Sequence, residues 1–175
     1  MADTLPPGLQ RDRHVELTGR TYEPWTRRAV IALFSLVIVV ALLGAFGQRH
    51  ENVRAQSPEA SLRVKVPKVV RGGLFFQGRL DIVASQPIGK PRIVLGEGWT
   101  EEMQLNTLEP APAAETSSGG RLDLEYDPLE RGDHLTIWLE FTVNPTNVGA
   151  RDRSVTLLDG ERELAYAPGT IRVLP

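Results

Sequence analysis

The chain has 175 residues, 41% hydrophobic, 24% charged and 6% aromatic, and its 20 Lys+Arg against 22 Asp+Glu leave a net charge of -2. That length suits one domain with appendages, and a charge so near balance argues against a nucleic-acid partner, whose phosphates need a basic surface. With no cysteine and 3 histidines scattered at His14, His50 and His134, disulfide scaffolds, thiol nucleophiles and Cys- or His-built metal sites are excluded or disfavoured.

Residues 1–28 hold Pro6-Pro7-Gly8, several charges and little apolar periodicity. They read as a disordered cytoplasmic tail. Ala29 to Gly47 then runs AVIALFSLVIVVALLGAFG, uncharged, with Ser35 its one polar side chain. A helix of that length spans about 28 Å, close to the hydrocarbon thickness of a bilayer. Tyr22, Trp25, Arg27 and Arg28 fall where the aromatic belt and the cationic flank of a membrane interface belong. The mean hydropathy of the whole chain, -0.18, hides this segment.

Arg11, Arg13, Arg20, Arg27 and Arg28 precede the helix, so the positive-inside rule predicts a cytoplasmic N-terminus and an extracytoplasmic C-terminal domain. The rival reading is a cleaved signal peptide, with Ala45-Phe46-Gly47 as its small-x-small site. The apolar run exceeds the roughly 7–15 residues of a signal, and a retained anchor fits better. Ala41 and Ala45 make a small-xxx-small pair, ordinary in such helices and suited to packing against another one. Residues 48–59, QRHENVRAQSPE, are polar and without period. They read as a juxtamembrane linker.

From Ala60 to Pro175 the pattern has period two. Leu62, Val64 and Val66 mark one strand, and Leu74, Phe76, Gly78, Leu80, Ile82 and Ala84 line one face of a second. Short runs follow at Arg92–Leu95 and Met103–Leu105, then Leu122, Leu124 and Tyr126. Leu135, Ile137, Leu139, Phe141 and Val143 form the clearest strand, and Asp159-Gly160 is a hairpin signal after Val155 and Leu157. Return strands are predicted near Arg162–Tyr166 and Thr170–Val173. About seven or eight short strands punctuated by Gly, Pro and Asp predict an all-β fold, an Ig-like antiparallel β-sandwich preceded by one transmembrane helix. In layout, from Arg27 to Pro175, the chain is similar to bacterial single-pass membrane proteins that carry an Ig-like extracytoplasmic domain. The resemblance implies that architecture and assigns no residue a role.

Few residues offer chemistry. Asp123, Glu125 and Asp127 share a strand face, with Glu130 and Asp133 after them. They lack the turn Gly of a calcium loop and read as a solvated strand. Arg131-Gly132-Asp133 spells an adhesion tripeptide but falls where a turn wants Gly and Asp. His134 and Glu140 are about 20 Å apart at strand rise, too far for an acid–base dyad. No nucleophile elbow, zinc-protease motif or phosphate loop occurs. The chain is therefore read as no enzyme, with no cofactor, metal or catalytic residue.

Trp138 occupies the polar side of the best strand, and Trp99 follows Gly96-Glu97-Gly98 near another. Together they are the candidate binding surface, if neither is turned inward. The function predicted from sequence is a membrane-anchored binding or assembly module, an accessory subunit of a membrane or envelope complex. Its partners are the lipid bilayer and a protein, an integral-membrane one docked on the helix being one such partner. The alternative is an envelope glycan binder using Trp99 and Trp138.

Overall fold

A computed structural model describes residues 22–43 and 50–175. The tail over 1–21, the Ala45-Phe46-Gly47 cleavage site, Ala45 of the small pair and the first two linker positions lie outside the described residues. The chain divides into two units, 1–47 and 48–175.

Among its described residues the first unit holds one helix, α1, Glu23–Leu42, 20 residues long. At 1.5 Å per residue it reaches about 30 Å, enough to cross a bilayer core. It starts earlier than the apolar run predicts. Pro24 lies in its first turn, where a missing N–H costs nothing and the fixed φ suits the helix. Thr26 Oγ1 also donates to the Tyr22 carbonyl at 2.6 Å. Trp25, Arg27 and Arg28 are thus helical rather than preceding the helix, and the Arg28 guanidinium lies 5.8 Å from the centre of the Trp25 ring. Ile31, Leu33, Phe34, Leu36 and Val39 all stay exposed, so the helix shows apolar side chains all round.

The second unit is built of strands β1 (His50–Gln56), β2 (Ala60–Pro67), β3 (Val69–Arg71), β4 (Phe75–Ala84), β5 (Pro91–Leu95), β6 (Met103–Glu109), β7 (Ala114–Ser118), β8 (Arg121–Glu125), β9 (His134–Val143), β10 (Gly149–Asp152), β11 (Val155–Asp159), β12 (Arg162–Ala167) and β13 (Thr170–Leu174). The first sheet runs β1-β2-β4-β9-β6 and the second β12-β11-β5-β8-β7, each antiparallel throughout. A smaller sheet, β10-β13-β3, contains the parallel pair β13 and β3. This is an antiparallel β-sandwich of immunoglobulin-like type.

Alternation decides which side chains go inside. Leu80 and Ile82 of β4, Ile137, Leu139 and Phe141 of β9, Ile93 and Leu95 of β5, and Leu124 and Leu157 of the second sheet are buried in one core cluster. Burying each such side chain contributes about 1.5–3 kcal/mol. This core forms without the disulfide of antibody domains, since the chain contains no cysteine.

Residues 50–56, expected as linker, are instead β1, paired along its whole length with β2 from His50–Pro67 to Gln56–Ser61. Its alternation is weak because the inward positions are Glu51, Val53 and Ala55, just half-buried. Strands β3, β7 and β10 were also not expected. All of β7, Ala114–Ser118, is exposed, so a backbone ladder with β8 holds it without any apolar face.

Candidate functional site

Period two on β9 sends Ile137 and Leu139 into the core and Trp138 outward, where it is 45% exposed. Across β4 its register partner is Arg79, whose guanidinium carbon lies 4.9 Å from the centre of the Trp138 ring. Asp81 holds that arginine in place, accepting from Arg79 Nε and Nη2 at 2.7 Å. Thr136 Oγ1 donates to the same carboxylate oxygen at 3.0 Å. The cation is thus fixed on an aromatic face before any partner arrives, an arrangement worth about 0.5–1 kcal/mol at an exposed site.

The strands beside it are basic. Arg54 of β1 stands opposite Arg63 of β2, and Lys65 of β2 opposite Arg79 of β4. Like charges directly across a ladder are destabilising, although Arg63 also faces Asp81 of β4, whose carboxylate is already bonded to Arg79 and Thr136. Among the described residues no carboxylate lies within ion-pair distance of Arg54, Arg63 or Lys65. On the other side of the stack the face turns acidic, with Glu140 on β9 and Glu109 on β6. Ser61, Arg63, Arg79, Asp81, His134 and Thr136 line a shallow cleft of about 280 Å³. A flat sheet face with a basic half, an acidic half and a tryptophan–arginine stack near their boundary can bind by charge and aromatic contact.

Trp99 does not join this surface. It is 1% exposed, and its Nε1 donates to the Ser154 carbonyl at 3.1 Å. Its ring centre lies 5.4 Å from that of Phe141, and its ring edge fills the space over Gly78. Gly96 and Gly98 turn it inward: a Cβ on Gly98 would fall 2.3 Å from the Asp152 carbonyl oxygen. The pair Trp99 and Trp138 is therefore no two-ring platform, because one ring is core.

The acidic face of β8 is neutralised from within. Arg92 Nε donates to Asp123 at 3.3 Å, its Nη2 pairs with the same carboxylate, and Glu125 lies 3.8 Å from Arg92. The hydrogen bond that Arg92 donates to Asp123 raises the Arg92 pKa further, against desolvation. Asp133 accepts from the Glu130 amide at 2.8 Å and Gly132 has φ +93°, so Arg131-Gly132-Asp133 is a turn. His134 and Glu140 pair across the sheet with different β4 residues, Val83 and Gln77. No cluster of metal-binding side chains occurs among the described residues.

Sequence reasoning missed Phe75, which is exposed at the start of β4, and put Leu74 on the buried face, whereas it lies in the turn before β4 and is exposed. The signal for Phe75 was present: it occupies the outward phase of the strand whose inward phase begins at Phe76.

No protein-family model matches the chain, and no curated protein matches it. Among solved structures, the CARDB domain of the PF1109 protein from Pyrococcus furiosus, crystallised in complex with di-metal ions, is similar at a TM-score of 0.46 and 12% identity, over 71% of this chain and 95% of that one. CaCohA2 from Clostridium acetobutylicum is similar at a TM-score of 0.45 and 13% identity, over 70% of this chain and 92% of that one. At these values the likeness concerns the shape of the sandwich and transfers no ligand, metal or partner.

Proposed function

We propose that this chain is a membrane-anchored, non-enzymatic binding module, an accessory subunit of a membrane or envelope complex. In this reading α1 is retained in the bilayer with the N-terminus in the cytoplasm, and the sandwich stands on the extracytoplasmic side. The outer face of the β1-β2-β4-β9-β6 sheet takes a protein partner. The observation that carries the reading is Arg79 held over Trp138 by Asp81, beside the like-charged pairs Arg54–Arg63 and Lys65–Arg79.

Tryptophan and arginine are the residues most enriched where binding energy concentrates. Repulsion across the ladder is relieved when an acidic surface covers Arg54, Arg63 and Lys65. The partner that fits is a protein with an acidic patch facing β1 and β2. Glycan binding by paired rings has lost its basis, since Trp99 is core and Arg79 already covers one face of Trp138.

Purification of the full-length protein from its native membrane in mild detergent, followed by mass spectrometry, tests the reading. The wild type is expected to bring a stoichiometric partner, and Arg79→Ala and Trp138→Ala to lose it while keeping their fold. A protein that emerges alone, or a partner retained equally by both variants, contradicts it.

A further inference from the structure

We infer that the end of the sandwich where β1 enters is a second membrane contact, an anionic bilayer surface received on Leu74 and Phe75 among Lys68, Arg71 and Arg172. The inference rests on the reading of α1 as a membrane anchor.

Leu74 is 50% and Phe75 is 68% exposed at the corner between β3 and β4. Single exposed apolar side chains are ordinary, but here several gather. The Gly73 amide donates to the Val143 carbonyl and the Val143 amide to the Leu74 carbonyl, both at 2.9 Å. The Gly72 amide donates to the Leu174 carbonyl at 2.8 Å, so the corner is joined to the ends of β9 and β13. Register pairs Gly149 with Val173, which brings exposed Val148 alongside Leu174. The corner is also shaped to stay: Gly73 has φ +77°, and a Cβ on Gly72 would lie 2.8 Å from the Pro145 carbonyl oxygen.

Chain connectivity selects the occupant. His50 opens β1 opposite Pro67, the residue before Lys68, so the segment from α1 arrives at this same end. Six residues, 44–49, lie between the described helix and β1 in the sequence. Charge agrees. Lys68, Arg71 and Arg172 are exposed here, with Glu101 and Glu102 the nearby acidic exceptions, Glu101 lying 3.6 Å from Arg151. The far end gathers Glu59, Glu130, Asp133, Asp159 and Glu161, which outnumber its cations Lys90, Arg131 and Arg162, through bonds such as that of the Ser85 amide to the Glu59 carbonyl and of the Lys90 amide to the Asp159 carboxylate. An anionic surface attracts the first end and repels the second, within a Debye length. Exposed leucine and phenylalanine beside lysine and arginine are what interfacial binding uses.

The test uses the full chain in lipid nanodiscs containing phosphatidylglycerol, with a polarity-sensitive fluorophore on single cysteines and a spin-labelled lipid as quencher. Three labels are compared: Leu36→Cys in α1, Thr146→Cys beside Pro145, and Glu161→Cys at the far end. Quenching at 36 and 146 but not 161 is expected. Phe75→Ser, and discs of phosphatidylcholine alone, are each expected to reduce quenching at 146. Quenching at 36 without quenching at 146 overturns the contact and leaves the anchor standing. No quenching at 36 overturns the anchor and the inference with it. A blue shift at 146 without quenching means protein covers this end, and also overturns the inference.

Discussion

Arg153 and Glu51 form an ion pair that locks β1 to the rest of the sandwich. Arg153 is 2% exposed, its Nη2 donates to the Glu51 carboxylate, and its Nε donates to the Thr170 carbonyl at 3.0 Å. Gly169 packs so closely that a Cβ there would lie 2.8 Å from Arg153 Cγ. β1 is the strand next after α1, so this pair ties the entry point of the domain to the turn between β12 and β13. Glu51→Gln keeps the shape and leaves a buried guanidinium without its counter-charge. The expected cost is about 1.5–3 kcal/mol, the range for hydrogen bonds to charged groups. It is read as a lower urea midpoint at unchanged slope. Adding Arg153→Met removes the stranded charge and is expected to restore part of the loss. An unchanged midpoint in Glu51→Gln would show that the pair does not hold β1.

Trp99 is the keystone of the core between β4 and β9. Trp99→Ala removes its contacts with Phe141 and Gly78 and its bond to Ser154. The expected cost is about 3–5 kcal/mol, a large share of a typical domain's 5–15 or so kcal/mol. Thermal unfolding followed by near-ultraviolet circular dichroism measures it. Gly98→Ala is expected to destabilise comparably, because its new methyl meets the Asp152 backbone. A thermally neutral Gly98→Ala would contradict the inward turn at Gly96-Glu97-Gly98.

Tyr126 gives an alkaline signature. Burial, with the Glu115 charge second, raises its pKa well above the ordinary 10.0, and its hydroxyl donates to the Pro110 carbonyl at 3.2 Å. Above about pH 10 the unfolded chain loses this proton while the native one keeps it. The stabilising contribution is thus complete below pH 10 or so and lost as pH rises through the folded-state value. Urea unfolding from about pH 9 to 11.5 is expected to show stability falling with pH, and less steeply in Tyr126→Phe. Equal slopes would place Tyr126 in solvent.

The membrane sidedness has a background-free check, since the chain contains no cysteine. Single cysteines at position 10 and at position 115, the latter on exposed β7, report the two sides. In intact cells an impermeant reagent is expected to label 115 and not 10. The reverse pattern overturns the orientation drawn from Arg27 and Arg28.

Much of the fold was legible because alternation is strict where both phases are pure. In β9 every inward residue from Leu135 to Val143 is apolar and every outward one except Trp138 is polar or charged. The boundary of α1 was not legible from hydropathy, because Pro24 and Thr26 set its start and neither is apolar. β1 was hidden because its inward phase includes Glu51, whose partner Arg153 is about a hundred residues away. At the candidate site, the alternation placed Trp138 outside. Trp99 was misjudged because its position depends on Gly78 leaving a space and on two glycines admitting Asp152. These are tertiary facts with weak local marks: an inward glycine in mid-strand, and a Gly-x-Gly before a tryptophan.

The most direct measurement is site-specific photo-crosslinking in the native membrane, with a photoreactive residue at Gln77 or at Glu163. Gln77 is exposed on the outer face of β4 beside Arg79, and Glu163 on β12 of the second sheet. A discrete adduct from position 77, absent from 163 and lost in Trp138→Ala, is expected if the first sheet takes the partner. Adducts from 163 alone, or none from 77, would contradict the assignment of that face.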